Sequence, residues 1–433
     1  MSENVKLPDG WKRVRLGEVI ERIGDGGTPP RSDKTNFDGD IPWVVIEDIK
    51  KRIYDTKEKL TKKGLKHSNA KIWRKGSIIL SFGATIGVVG IAEVDLATKQ
   101  GIAGMELKND EVFNLFLYFV LTTKKNELLR LANQTTILEV RPNVFVNKLS
   151  FLLPPLPEQR KIAEILETID NAIEKTDAII EKYKRIKQGL MQDLLTKGVV
   201  NEGEGESERW RLRDENIDKF KDSPLGRIPE EWEVVDVYGH VNLINGGTPS
   251  TARPEFWNGS IPWLSVEDFN IGKRWVFSSS KYITELGLKQ SATKLLKKGM
   301  LIISARGTVG VLAQLGADMA FNQSCYGLDA KDKMKLSNDF LYYALKHFIT
   351  SFLSLAYGNV FNTITRETFK EILIPLPPLP EQQRIASILS QIDEVIEKEQ
   401  AYKEKLERIK KGLMEDLLTG KVRVNHLIEE EEK

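Results

Sequence analysis

Eleven basic side chains fall between Lys50 and Lys75: Lys50, Lys51, Arg52, Lys57, Lys59, Lys62, Lys63, Lys66, Lys71, Arg74 and Lys75. Only Asp55 and Glu58 oppose them, and Tyr54, His67 and Trp73 are interleaved. Such a cluster suits contacts to phosphates, because each neutralised phosphate releases a condensed counterion. A charge run is also what an ordinary solvated face looks like, so the run alone leaves both readings open. A thinner version returns at Lys273, Arg274, Lys281, Lys289, Lys294, Lys297 and Lys298, and its recurrence favours phosphate. Base edges are read by Arg, Lys, Asn or Gln. The candidates on loops are Lys34, Lys99, Gln100, Arg253, Arg306, Asn322 and Gln323.

No constellation for catalysis accompanies these residues. His67, His240, His347 and His426 are isolated, and no His/Cys spacing suits a metal. There is no Gly-x-x-x-x-Gly-Lys-Ser/Thr phosphate loop. There is also no Asn/Asp-Pro-Pro-Phe/Tyr string of the kind that holds a flipped base in amino-methyltransferases. Gly24-x-Gly26-Gly27 lacks the third glycine of a dinucleotide loop and runs into Thr28-Pro29-Pro30, which cannot open a helix smoothly. Glu47-Asp48 reads as a capped turn after a strand rather than a metal pair. Trp43, Trp263, Phe37 and Trp257 follow Gly/Pro turns and read as core rather than as stacking platforms.

Composition bounds the setting. Hydrophobic residues make up 41% and charged residues 29%, the balance of an ordinary globular protein. The single cysteine, Cys325, excludes an internal disulfide framework and suits a reducing, cytoplasmic compartment. Gly76 to Ala92 carries no charge, but it is short for a membrane helix and rich in Gly and β-branched residues. Two buried strands around a Gly turn fit it better, so no membrane association is expected. The net charge of +2 hides an uneven distribution: residues 1–155 hold 25 Lys and Arg against 19 Asp and Glu, and the rest is near neutral or mildly acidic.

The elements that must position these residues occur twice, about 220 residues apart. Gly26-Gly27-Thr28-Pro29 recurs at Gly246-Gly247-Thr248-Pro249, and Ile41-Pro42-Trp43 at Ile261-Pro262-Trp263. Leu-Pro-Pro-Leu-Pro-Glu-Gln at 153–159 recurs at 376–382. Each copy opens with a globular part in which Val44-Val45-Ile46, Ile78-Ile79-Leu80 and Val88 to Ile91 read as strands and Asn114 to Ala132 as helix. Each closes with a long helix that starts at a proline, Pro157 or Pro380. Apolar residues repeat there every seven positions. They are Ile162, Leu166, Ile169, Ile173, Ile180, Tyr183, Leu190 and Leu194 in the first copy, and Ile385, Leu389, Ile392, Ile396, Leu406, Leu413 and Leu417 in the second. Glu399 interrupts the seam and suggests a register lock or a wet point.

The expected fold class is α+β, mixed α/β globular domains plus long helices. Two such domains are separated by an antiparallel two-helix coiled coil in a pseudo-twofold tandem repeat. The domains are drawn at 1–155, 156–200 (first helix), 201–228 (linker and entry segment), 229–377, 378–425 (second helix) and 426–433 (acidic tail). Each helix should be on the order of 55 Å long, enough to bridge one or more turns of duplex DNA between two half-sites. Geometry alone leaves a protein-binding scaffold equally open.

Taken together these strings resemble the specificity subunit of type I restriction-modification systems. The Gly-Leu-Met-x-Asp-Leu-Leu-Thr close of each helix (189–196 and 412–419) adds to the resemblance, as does Leu225-Gly226-Arg227-Ile228-Pro229-Glu230-Glu231-Trp232. The resemblance covers residues 8–425. It implies a non-catalytic chain whose two target recognition domains each read one half of a bipartite double-stranded DNA target, with the helices as spacer. It also implies that two modification (methyltransferase) subunits dock along the helices and two restriction subunits join them. S-adenosylmethionine, ATP and Mg would then belong to those partners, and none to this chain. Against it stand a scaffold and a stand-alone methyltransferase or nuclease. There is one departure: Ser304 to Gly310 keeps the family-like turn with Arg306, whereas Ser81-Phe82-Gly83-Ala84-Thr85 has no Arg, so a contact by Arg306 cannot be carried to the first domain.

Overall fold

The computed structural model describes residues 7–83, 85–132, 142–203, 209–357 and 363–431. They form two compact units, residues 1–175 with 403–433 and residues 176–402. Each takes one globular part together with a stretch of both long helices, Leu156–Thr196 and Leu379–Leu417.

In the first unit a five-stranded sheet runs in the order Ile20–Asp25, Ile102–Leu107, Ile78–Ser81, Val89–Ala92, Arg52–Ile53. The uncharged stretch supplies its centre: Ile78–Ser81 and Val89–Ala92 pair antiparallel and every residue of both is buried. A four-stranded sheet has the order Lys59–Leu60, Phe37–Val44, Leu96–Thr98, Ile72–Trp73. Val44 ends its strand and Val45 caps a 3-10 turn at Ile46–Asp48, so the predicted strand stops one residue into Val44-Val45-Ile46. Asp48 accepts from the Val45 amide at 3.1 Å, the capped turn expected there. The expected helix 114–132 is two, Asn114–Thr123 and Lys125–Ala132, broken at Lys124.

The second unit repeats this plan. Its five-stranded sheet has the order Val241–Asn245, Cys325–Ala330, Leu301–Ser304, Leu312–Leu315, Trp275–Val276. Its four-stranded sheet has the order Lys281–Ile283, Trp257–Leu264, Met319–Phe321, Leu295–Leu296. Helix Asn338–Tyr357 packs beside the five-stranded sheet and buries Phe340 and Tyr343. No described helix is long and apolar enough to cross a membrane.

The helices enter the cores. Ile162, Leu166 and Leu417 join the first core with Phe116 and Phe119, while Leu194, Ile385 and Leu389 join the second with Tyr343. Each fully buried Leu or Ile contributes about 1.5–3 kcal/mol. Leu413 and Leu190, half-buried, pack against the first and second core; away from the cores Ile180, Ile396 and Leu406 are buried, and Ile169, Ile173, Tyr183, Ile392 and Glu399 are half-buried. Pairing is antiparallel within each unit. In the first, Lys410 meets Asp170 at 2.6 Å and Arg423, beyond the helix end, meets Glu158 at 2.7 Å. In the second, Lys187 pairs with Asp393, and the Val199 amide donates to Glu381 at 2.8 Å.

The duplicated Pro-Glu-Gln string explains how each helix starts. Glu158 and Glu381 lie in the first turn, where a carboxylate complements the helix dipole. Both are buried, at 2% and 4% exposure, so each needs partners. Trp11 donates to Glu158 at 3.0 Å and Trp232 to Glu381 at 3.0 Å. An arginine completes each site: Arg423 on Glu158, and buried Arg213 on Glu381. Gln159 accepts from the Phe113 amide at 2.8 Å, and Gln382 does the same for Ser337 at 2.9 Å.

Two expectations are corrected here. The acidic connector read as a loop is partly built structure: Val199–Asn201 pairs with Trp210–Leu212, and Phe220–Ser223 with Gly226–Pro229. Its Arg213 is drawn inward by the uncompensated carboxylate of Glu381. The tail from 426 begins inside a short helix, Asn425–Glu431, just after buried Val424.

Removing Glu381 would leave a guanidinium that is only 6% exposed with the outer Glu231 as its one remaining carboxylate among the described residues. Glu381→Ala is expected to lower unfolding free energy by about 3–5 kcal/mol. The exposed Glu404→Ala should stay within about 0.5 kcal/mol of the parent. Urea denaturation compares them, and equal losses would contradict this account.

Candidate nucleic-acid interface

In the first unit the Gly-Gly-Thr-Pro turn is the floor of a surface groove, and the second unit repeats the turn. Gly26 donates to the Ile102 carbonyl at 3.1 Å and Gly27 to the Thr98 carbonyl at 2.9 Å. Trp43, fully buried, donates from its indole to the Gly27 carbonyl at 3.1 Å. A Cβ on Gly26 would overlap the Thr98 carbonyl, and one on Gly27 the Ala70 amide. Only glycine permits this approach of three backbone segments. The second copy is built alike: Gly247 donates to Phe321 at 3.0 Å, and Trp263 donates to the Gly247 carbonyl at 3.0 Å. Trp43 and Trp263 are thus core residues; Phe37 packs tilted beside Trp43 and Trp257 edgewise beside Trp263, both half-buried.

In the first unit this floor opens into a polar groove of about 960 Å³. Lys66, His67, Asn69, Lys71 and Gln100 line it. The helix Lys62–Lys66 is capped by Thr61, and Gly64 lets it pack on the turn Lys34–Asn36. Lys34, Lys62 and Lys66 are exposed on this packed pair and form no ion pair among the described residues; Lys99 is half-buried next to Gln100. Lys63 is exposed too, but Asp33 holds it at 2.9 Å. Hydrogen bonds from Thr35 first, then Lys63, pull the Asp33 carboxyl down to about 2.

The basic run does not act as one patch. Lys50 is exposed. Lys51 and Arg52 turn instead to the first long helix: Lys51 lies 3.3 Å from Glu174 and 3.6 Å from Asp170, and Arg52 2.6 Å from Glu167. Their charges are matched inside the protein, which removes them from the phosphate candidates. Arg274 is likewise corrected. It is 4% exposed and bonded to Gln314, Asp339 and Tyr343.

The second copy of the turn is differently furnished. Gln323 and Gln100, at the matching place, are both exposed, and Gln323 is bonded to Thr248. Asn322 is half-buried and accepts from the Ser324 amide at 3.0 Å. Arg253 is exposed, stacked 4.4 Å from the Phe256 ring centroid, and bonded to Glu255 and Gln290. Lys273, Lys289 and Lys298 are exposed, while Lys297 pairs with Asp318 at 2.8 Å. Arg306 is exposed, its backbone bridged to Thr363. Asn69 and the aromatic-flanked Arg31, whose guanidinium lies 5.3 Å from the Trp43 ring centroid, were not singled out from the sequence. Asn69 is signalled only by its place just before the Ala70 amide that Gly27 meets.

Comparison with known proteins agrees with the duplication. The pattern of the type I restriction modification DNA specificity domain matches residues 8–184 and again 229–408. The MjaVIII type I restriction enzyme specificity subunit of Methanocaldococcus jannaschii is 28% identical over 433 residues, covering 98% of this chain and 95% of the relative. The putative MjaX specificity subunit of the same organism is 29% identical, covering 97% and 95%. The crystal structure of the type I restriction-modification S subunit from M. genitalium superposes with a TM-score of 0.61 at 14% identity, covering 96% of this chain and 98% of that one. The duplicated pattern fills most of the chain, and the protein belongs to the type I restriction-modification DNA specificity family.

Proposed function

We propose that this chain is the non-catalytic specificity subunit of a type I restriction-modification complex, each globular part reading one half of a bipartite duplex DNA target. The observation that carries this reading is the twice-built Gly-Gly-Thr-Pro turn, which in the first copy floors a polar groove with exposed lysines beside it. A backbone floor admits close approach of another chain, cations beside it suit phosphates, and Gln or Asn at its lip suits base edges. Framework residues repeat while the groove walls differ, as suits two halves of unlike sequence.

In this reading the paired helices set the spacer between half-sites. Two modification subunits dock along them and two restriction subunits join for cleavage. S-adenosylmethionine, ATP and Mg belong to those partners, and the complex works in the cytoplasm.

Methylome sequencing of a methylation-free host given this chain and its modification subunits tests the reading. A split motif should appear, and should vanish without this chain. Methyl transfer by the purified chain alone would overturn it. Lys62→Ala and Lys66→Ala should each lower the slope of log K against log salt by about 0.9, whereas Lys63→Ala, already bonded to Asp33, should lower it less. Equal slopes for all three and the parent would remove the groove lysines from the interface. Adding seven residues to each long helix, about 10 Å, should lengthen the methylated motif's spacer by roughly three base pairs. An unchanged spacer would contradict the ruler role.

A further inference from the structure

One acid on each long helix is held from two directions at once. Asp170, with its side chain 9% exposed, receives Lys410 of the second helix at 2.6 Å and Lys51 of the first globular part at 3.6 Å. The Lys51 ammonium makes no aligned hydrogen bond, so its hold is Coulombic and is shared with Glu174. The matching acid of the second copy is Asp393. Lys187 of the first helix pairs with it, and Tyr343 of the second globular part donates to it at 2.7 Å. The Tyr343 hydroxyl in turn accepts from Arg274 at 3.2 Å. Arg274 occupies the place in its repeat that Lys51 occupies in the first, and Lys187 the place of Lys410.

The duplication has therefore kept a three-element junction while changing its chemistry. In both copies a globular part, the helix that follows it, and the other helix meet at one carboxylate. Buried ion pairs add little net stability over apolar packing, so stability alone does not account for them. What they add is direction. The surrounding apolar contacts of Ile162, Leu166, Ile385 and Leu389 are non-directional and tolerate small rotations. Charge-assisted bonds to a fixed carboxylate do not.

We infer that Asp170 and Asp393 are positioning residues that fix the angle between each globular part and the helices it sits on, and through it the half-site separation the chain accepts. This rests on the DNA-reading function proposed above. Half-site identity would be set in the grooves, and separation at these two junctions as well as by helix length.

The test is methylome sequencing of a methylation-free host carrying the modification subunits with parent, Lys51→Met, Tyr343→Phe or the control Lys411→Met, an exposed neighbour on the second helix. Tyr343→Phe keeps the ring and removes only the hydroxyl. Both junction variants should keep the parent's half-sites but lower the preference for its spacer over one base pair longer or shorter by roughly tenfold. The control should keep the parent's preference. A general loss of stability would lower methylation at all spacers alike and leave this ratio unmoved. Parent that methylates no bipartite motif would sink the functional reading itself. Parent that does so, beside a Tyr343→Phe variant whose spacer preference is unchanged or whose methylation is abolished, would overturn the junction proposal alone.

Discussion

The structure depends on a buried carboxylate at the start of each long helix. A glutamate at 2–4% exposure is tolerated only if its charge is met by hydrogen bonds and an opposite charge. Meeting it gathers chain from distant places. Glu158 draws in Trp11 and Arg423, and Glu381 draws in Trp232, Arg213 and the Val199 amide. The helix start, the entry to each globular part and the far end of the opposite helix arm are thereby fixed to one another within each unit.

The arginines show that the two copies solve the same electrostatic problem by different routes. Arg423 follows the second long helix, whereas Arg213 sits in the connector between copies. The connector is acidic and glycine-bearing, and composition alone reads it as a loop. It contains short strands because one of its cations is needed inside. The tail is similarly recruited, which is why Val424 is buried just before the final helix.

How much of this could be read beforehand depended on range. The Leu-Pro-Pro-Leu-Pro-Glu-Gln string announces a helix start, since Pro, first-turn Glu and the heptads are local signals. Ile78–Ser81 and Val89–Ala92 were readable as buried strands for the same reason. The partners of Glu158 and Glu381 were not, because Arg423 and Arg213 lie 265 and 168 residues away. The basic run misled for the same cause. A dense row of cations in sequence says nothing about the acids waiting at Glu167, Asp170 and Glu174, so Lys51 and Arg52 looked free when they are bound. Arg274 is the clearest case: beside Lys273 it looks like surface, yet Gln314, Asp339 and Tyr343 enclose it.

The floor of the first groove is main chain at Gly26-Gly27, and Gly246-Gly247 repeats that turn, both pressed where no Cβ fits. Main chain has the same donors and acceptors whatever the codon, and these positions admit no substitute. The floor is therefore closed to drift. Any change in what a groove prefers must be written on its walls, at places such as Gln100, Lys71, Gln323 and Arg253. A lineage can revise those one residue at a time without disturbing the Trp43 and Trp263 anchors beneath. The scaffold is in effect a fixed page with editable margins, and two such pages in one gene can be revised independently.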